Sequence, residues 1–188
     1  VTAPSHLDEQ SFRALLDRDG LLRADALAPP DRAASYTCFA QRDDARLDLD
    51  AVRRNAEHFF DSKLGLSVDK RYGPGVVPVD AARVIIASDD VSASGTRLCY
   101  ARPTDAADLA AAEAAERVQG THGMSLLAQR CATVWLVVRE ADEDRVALTI
   151  AAIFASTMLG PILAPDARRL FGVRTARLEL ERQKSPYR

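Results

Sequence analysis

The sequence predicts an α+β domain: a mainly antiparallel sheet of about five to six strands with helices packed on one face. Three observations carry this. Short runs of β-branched and aromatic residues recur along the chain, the strongest being Thr133 to Glu140 with Val134-Trp135-Leu136-Val137-Val138 at its centre, a composition suited to a buried pleated surface. Segments with apolar residues at helical spacing stand between these runs. Two pairs of strand-like runs are joined by polar turns, which argues for hairpins and against a purely parallel sheet.

In order along the chain, Ser5 caps a first helix, with Asp8 and Glu9 in its opening turns, Phe12, Leu15 and Leu16 on its apolar face and Gly20 at its end. Leu21 to Leu27 adds a short second helix, and Ala28-Pro29-Pro30-Asp31 breaks it. Residues 1–30 thus read as a helical appendage within a single domain spanning 1–188. Ser35 to Arg42 alternates as a strand. Asp48 then opens a helix whose apolar positions run Leu49, Val52, Ala56, Phe59, Phe60 and Leu64, with Gly65 as its stop. Gly73-Pro74-Gly75 is a turn. Arg83 to Ser88 and Thr96 to Arg102 form a hairpin around the acidic tip from Asp89 to Gly95.

Thr104 or Asp105 caps an Ala-rich helix that Gly120 ends, and Ser125 to Arg130 makes a helical turn before the Trp135 strand. Over residues 145–159 two readings stand, a helix or a strand from Arg145 to Ser156. Val146, Ala147, Ile150, Ile153, Phe154 and Met158 fit a helix opened by Asp142-Glu143-Asp144, while the β-branched content fits a strand. In either form no charged residue occurs between Arg145 and Asp166. The segment must therefore be covered on more than one side, as the central core element or as a homodimer contact. Asp166 to Phe171 reads as a short helix and Arg174 to Arg182 as a closing strand with Ala176, Leu178 and Leu180 inward.

Composition narrows the function classes. With 47% apolar residues in 188, the chain can bury a core without disulfides or metal. A formal net charge of −2 argues against wholesale binding to nucleic acid or acidic membrane. The segment from Asp166 onward is locally basic, seven Lys and Arg against three Asp and Glu, but few aromatics interleave to stack on bases. The scarcity of Lys beside Arg and the abundance of Ala suggest a GC-rich bacterial gene. The N-terminus lacks a signal-peptide pattern, and no apolar run reaches membrane-spanning length. A cytoplasmic protein is the expectation. Cys38, Cys99 and Cys131 are widely spaced in apolar surroundings, so buried thiols are expected and no structural metal or cofactor.

The chain has three histidines, His6, His58 and His122. His58 belongs to an amphipathic helix beside Phe59 and Phe60 and is expected at the edge of the core. His122 stands between Thr121 and Gly123 in a loop before the strongest strand, where rigid elements can hold a functional side chain. Asp89 and Asp90 end a buried-type strand. As a general acid–base imidazole and two carboxylates, His122, Asp89 and Asp90 are the candidate catalytic residues. Yet adjacent carboxylates on a strand point to opposite faces, which argues against a shared metal.

Two functional readings follow. The first is a non-catalytic binding domain, regulatory or accessory, that contacts a protein or small ligand and can form a homodimer. The second is a small enzyme, or small-molecule-binding protein, with a pocket between sheet and helices using His122 and Asp89 or Asp90. For the core, the sequence makes one direct prediction: Trp135 stands among apolar residues on both strand faces and is buried. Trp135→Ala is expected to cost about 3–5 kcal/mol through cavity formation. A denaturation midpoint equal to the wild type would place this strand at the periphery.

Overall fold

The computed structural model of the protein describes residues 31–41, 48–70, 81–88 and 94–184. The expected N-terminal helices, with Ser5, His6 and Gly20, lie outside the described residues. So do Gly73-Pro74-Gly75 and the tip carrying Asp89 and Asp90.

A 3-10 turn, Arg32–Ala34, leads into β1 (Ser35–Ala40), then α1 (Leu49–Phe60) and three long strands, β2 (Ser62–Lys70), β3 (Ala81–Ser88) and β4 (Gly95–Pro103). α2 (Ala106–Gln119) and the short α3 (Met124–Ala128) precede β5 (Thr133–Val138) and α4 (Arg145–Met158). Two two-residue strands, β6 (Ile162–Leu163) and β7 (Leu170–Phe171), come before the closing helix α5 (Val173–Lys184). The sheet order is β2-β3-β4-β5-β1-β6-β7, and every pairing is antiparallel. The α+β class and the antiparallel sheet are those expected; five strands have six residues or more, and the two short ones extend one side.

Strand alternation divides the core in two. Tyr36, Cys38 and Ala40 of β1 join Trp135 and Val137 of β5, Cys99 and Ala101 of β4, Ile162 and Phe171 on one face. There α4 lies against the sheet, flanked by α1 and α5. Phe39, Val134, Leu163 and Leu170 point the other way and meet Ala112 and Ala115 of α2, Ala128 and Cys131. Three helices thus cover the expected face, and α2 and α3 lie on the other, at the β6–β7 side. Every residue of β1 is buried, because the strand has helices on both sides.

The segment free of charge is a helix, and it is the central core element. Eleven of the fourteen residues of α4 are buried, so an amphipathic pattern would have wasted a face. Its alanines let it approach the sheet: the Cys38 thiol lies 3.6 Å from the Ala151 carbonyl oxygen. Trp135, 1% exposed as predicted, meets Phe154 edge to face with ring centroids 5.5 Å apart. Such a pair adds about 0.5–1.5 kcal/mol beyond its buried area.

Carboxylates start three of the four long helices. Asp48, Asp105 and Asp144 are N-caps whose side chains accept from Ala51, Asp108 and Ala147 N–H. Each satisfies an amide that the helix leaves unpaired and places negative charge at its positive end.

Several expectations are corrected. α1 stops at Asp61, which takes a left-handed φ of 48°, and not at Gly65, which lies inside β2. Leu64 is buried as a strand residue paired with Ile86. The stretch from Asp166 to Phe171 is a turn leading into β7, not a helix. Arg174 to Arg182 is helical, not a strand. Ala176 and Leu180 are buried while Leu178 is 45% exposed, so the period of 3.6 prevails over the apparent alternation. His58 is exposed, not at the core edge; its ring meets Phe59 edge-on at 4.8 Å.

The chain leaves α4 by running directly alongside β1 into its pairing with β6. Leu159 caps the helix in the left-handed region, φ 57°. The backbone N–H of Gln41 donates to the Met158 carbonyl at 3.1 Å, its side-chain amide donates to the Leu159 carbonyl, and Phe39 N–H donates to Pro161 at 3.0 Å. A Cβ on Gly160 would stand 1.8 Å from the Phe39 carbonyl oxygen, so only glycine fits. Gly160→Ala is expected to destabilise the fold by about 3 kcal/mol or more, since a packed backbone has to move. Urea denaturation with an unchanged midpoint would show that this contact is loose.

Candidate functional site

The residues nominated from the sequence do not converge among the described residues. His122 is exposed in the loop between Gly120 and Gly123 and lines none of the described cavities. Asp89 and Asp90 are outside the described residues. Glu116 lies close enough to His122 to feel its charge, but its task is architectural. Its carboxylate accepts from Met124 N–H at 2.6 Å, Ser125 N–H at 3.3 Å and the Ser125 hydroxyl, closing the start of α3. The hydrogen bond from Ser125 is the main reason its pKa is held below the ordinary carboxylate value.

Two other carboxylates are deeply committed. Asp108, with its side chain fully buried, accepts from both terminal nitrogens of Arg102 at 2.6 and 2.8 Å. The Arg32 Nε lies 3.3 Å away, as a charge contact without hydrogen-bond alignment. This arrangement ties β4 and the 3-10 turn to the start of α2. Asp144 accepts from Arg97 Nε at 2.6 Å and its terminal nitrogen at 2.9 Å, and from Glu140 N–H at 2.8 Å, besides capping α4. Burial pushes the Asp144 pKa up, but the bonds from Arg97 and the backbone amides outweigh it and hold the group below its ordinary value.

The thiols are equally inert. Cys38, Cys99 and Cys131 are free and buried. Burial raises the pKa of Cys38 and Cys99 far above the ordinary thiol value and that of Cys131 to about 11, which disfavours the reactive thiolate. Among the described residues no group of three or more His, Cys, Asp or Glu could hold a metal ion, and no helix is long and apolar enough to cross a membrane.

Among the described residues, an apolar groove stands out that was not nominated from the sequence. A groove of about 570 Å³ runs between α1 and α5 over the last turn of α4. Its floor is Ala155, Ser156 and Gly160, and its walls include Phe59, Leu159 and Leu178. These three are 45%, 68% and 45% exposed, half of the large apolar side chains exposed among the described residues. Arg174, Arg177 and Glu181 edge it from α5.

Two of the wall residues are held out for a local reason. Phe59 follows His58 and precedes the half-buried Phe60, and neighbours on a helix cannot both face the core. Leu159 is fixed by the left-handed cap and the Gln41 bonds described above, so its side chain stands on a rigid base. A leucine in that backbone conformation is disfavoured where glycine would be at ease, so the position carries a cost that a purely structural cap would avoid. The adjacent pair Phe59-Phe60 was the legible clue; Leu178 was hidden by the strand reading.

A scan against protein-family models, a search of curated proteins and a search of solved structures each find no match for the chain.

The geometry at Asp144 makes a pH prediction. A carboxylate with a depressed folded pKa contributes stability above its unfolded value of about 3.9, and that contribution is lost as pH falls through the folded pKa. Asp144→Asn keeps a capping side chain but removes the charge facing Arg97. It is expected to cost on the order of 1.5–3 kcal/mol at neutral pH, and to shrink the fall in stability between neutral pH and the acid side of that window. Chemical denaturation at several pH values measures both; a variant with the wild-type pH profile would show that another group governs it.

Proposed function

We propose that the chain is a non-catalytic binding domain, of regulatory or accessory kind, that docks a protein partner along the groove between α1 and α5. The observation that carries this is the convergence of Phe59, Leu159 and Leu178, all exposed, on one groove. Large apolar side chains gathered in this way mark a contact surface, whereas single exposed ones are ordinary. The arginines at the edge fit the usual anatomy of an apolar centre with a charged rim. The buried carboxylates and thiols support the same reading: they cap helices, pair with arginines or fill the core, and none is poised for chemistry.

Incorporating the photoreactive p-benzoyl-phenylalanine at Leu159, and separately at Val118, tests this. The two positions are matched in exposure, 68% and 69%, but Val118 is on α2, away from the groove. Irradiation of cells expressing the protein is expected to give a discrete protein adduct from position 159, reduced by Phe59→Ser, and none from position 118. Adducts from neither position, or equally from both, would remove the groove as a contact surface. Adducts of small mass only would assign it to a small ligand.

A further inference from the structure

Resting on that reading of the groove, we propose that its occupant is a second copy of this chain, docked through α5 about a two-fold axis. The residues that α5 presents to the groove are Arg174, Arg177, Leu178 and Glu181. Their spacing puts all four on one helix face. The opposite face, with Ala176 and Leu180, is already buried within the chain. α5 therefore has two working faces, one committed to α4 and one turned outward.

The outward face is complementary to itself when reversed. It is basic at its N-terminal end and acidic at its C-terminal end. An antiparallel copy, related by an axis between Arg177 and Leu178, sets Arg174 of each chain against Glu181 of the other. The two ion pairs are equivalent by symmetry, as a two-fold interface requires. Leu178 of each chain then lies beside the axis, within reach of the other's Phe59 and Leu159. The methylene stems of Arg177 cover apolar surface while its guanidinium reaches the rim. Among the described residues none of these charges is already taken: Arg174, Arg177 and Glu181 have no ion-pair partner there, whereas Glu179, on the same helix, is paired with Arg169. A parallel copy would place like charges together, so the charge order selects the antiparallel arrangement.

Light scattering coupled to size exclusion, on the full chain at high micromolar concentration, tests the proposal. The wild type is expected at twice 20.4 kDa. Arg174→Glu and Glu181→Arg each oppose like charges across the axis and are expected to halve the mass, with thermal midpoints near wild type because both positions are exposed. The double variant R174E/E181R is expected to restore the dimer. The two positions are about 10 Å apart along one helix, so restoration cannot come from a pair within one chain. A monomeric wild type, single variants that stay dimeric, or a double variant that stays monomeric would each overturn the proposal. A monomeric wild type with a protein adduct from position 159 would leave the docking groove standing and remove only the second copy as its occupant.

Discussion

A helix with no charge beyond its first residue, Arg145, has to be covered on more than one side, and the described architecture is arranged around that constraint. α4 cannot turn a face to water without exposing contiguous apolar surface. The sheet supplies one side. α1 and α5, which flank it, supply the others. Because the sheet side is filled by β1, β5 and β4 together, the strand that comes first among the described strands has to reach the interior of the sheet, beside β5. β1 in turn is buried on both faces, which calls for α2 and α3 behind it. The close approach at Gly160 completes the arrangement: the chain leaving α4 rests on the backbone of β1 with no room for a side chain between them.

Charges work at the margins of this core. Asp105, Asp108 and Asp144 lie where a helix begins and a neighbouring strand or turn offers an arginine. Each carboxylate does two things at once, satisfying helix amides and fixing the position of another element. Sharing the work in this way makes a buried charge tolerable, because the cost of removing it from water is set against several hydrogen bonds and not one. It also explains why the pKa values of Asp144 and Glu116 move down although burial alone would move them up.

What could be read from the sequence follows the strength of local signals. Asp48 opens one helix, and Asp105 with Gly120 brackets another, as the structure confirms, because capping is a short-range interaction between residues three or four apart. The Trp135 strand was legible because a strand buried on both faces needs an unbroken apolar run. β2 was missed since Ser62 to Lys70 mixes polar and apolar residues and follows a helix whose period runs smoothly into Leu64; the left-handed turn at Asp61 that separates them leaves no glycine as a marker. α5 was misread because Ala176, Leu178 and Leu180 alternate while its buried stripe also fits a period of 3.6. Only the packing against α4 decides between the two. The groove was illegible for a related reason: Phe59, Leu159 and Leu178 are far apart in sequence, and each alone reads as a core residue.

The groove follows from how α4 is covered. α1 and α5 each lie against α4 but make little contact with each other. A third helix lodged between two that do not meet must leave a channel on its outer side. Along most of α4 that channel is closed by the fit of its buried side chains, but at the last turn the residues shrink to Ala155, Ser156 and Gly160, and the channel opens into a groove. Small residues there are required on the inner side, where the backbone meets β1 at Gly160. The outer side inherits the same smallness, so a tight contact within the core produces a concavity at the surface. What the core does not require is that Phe59, Leu159 and Leu178 surround it. Polar residues at those exposed positions would cost the fold little and would remove an association hazard. That the walls are apolar, at sites where stability makes no such demand, is the reason to assign the groove to a partner.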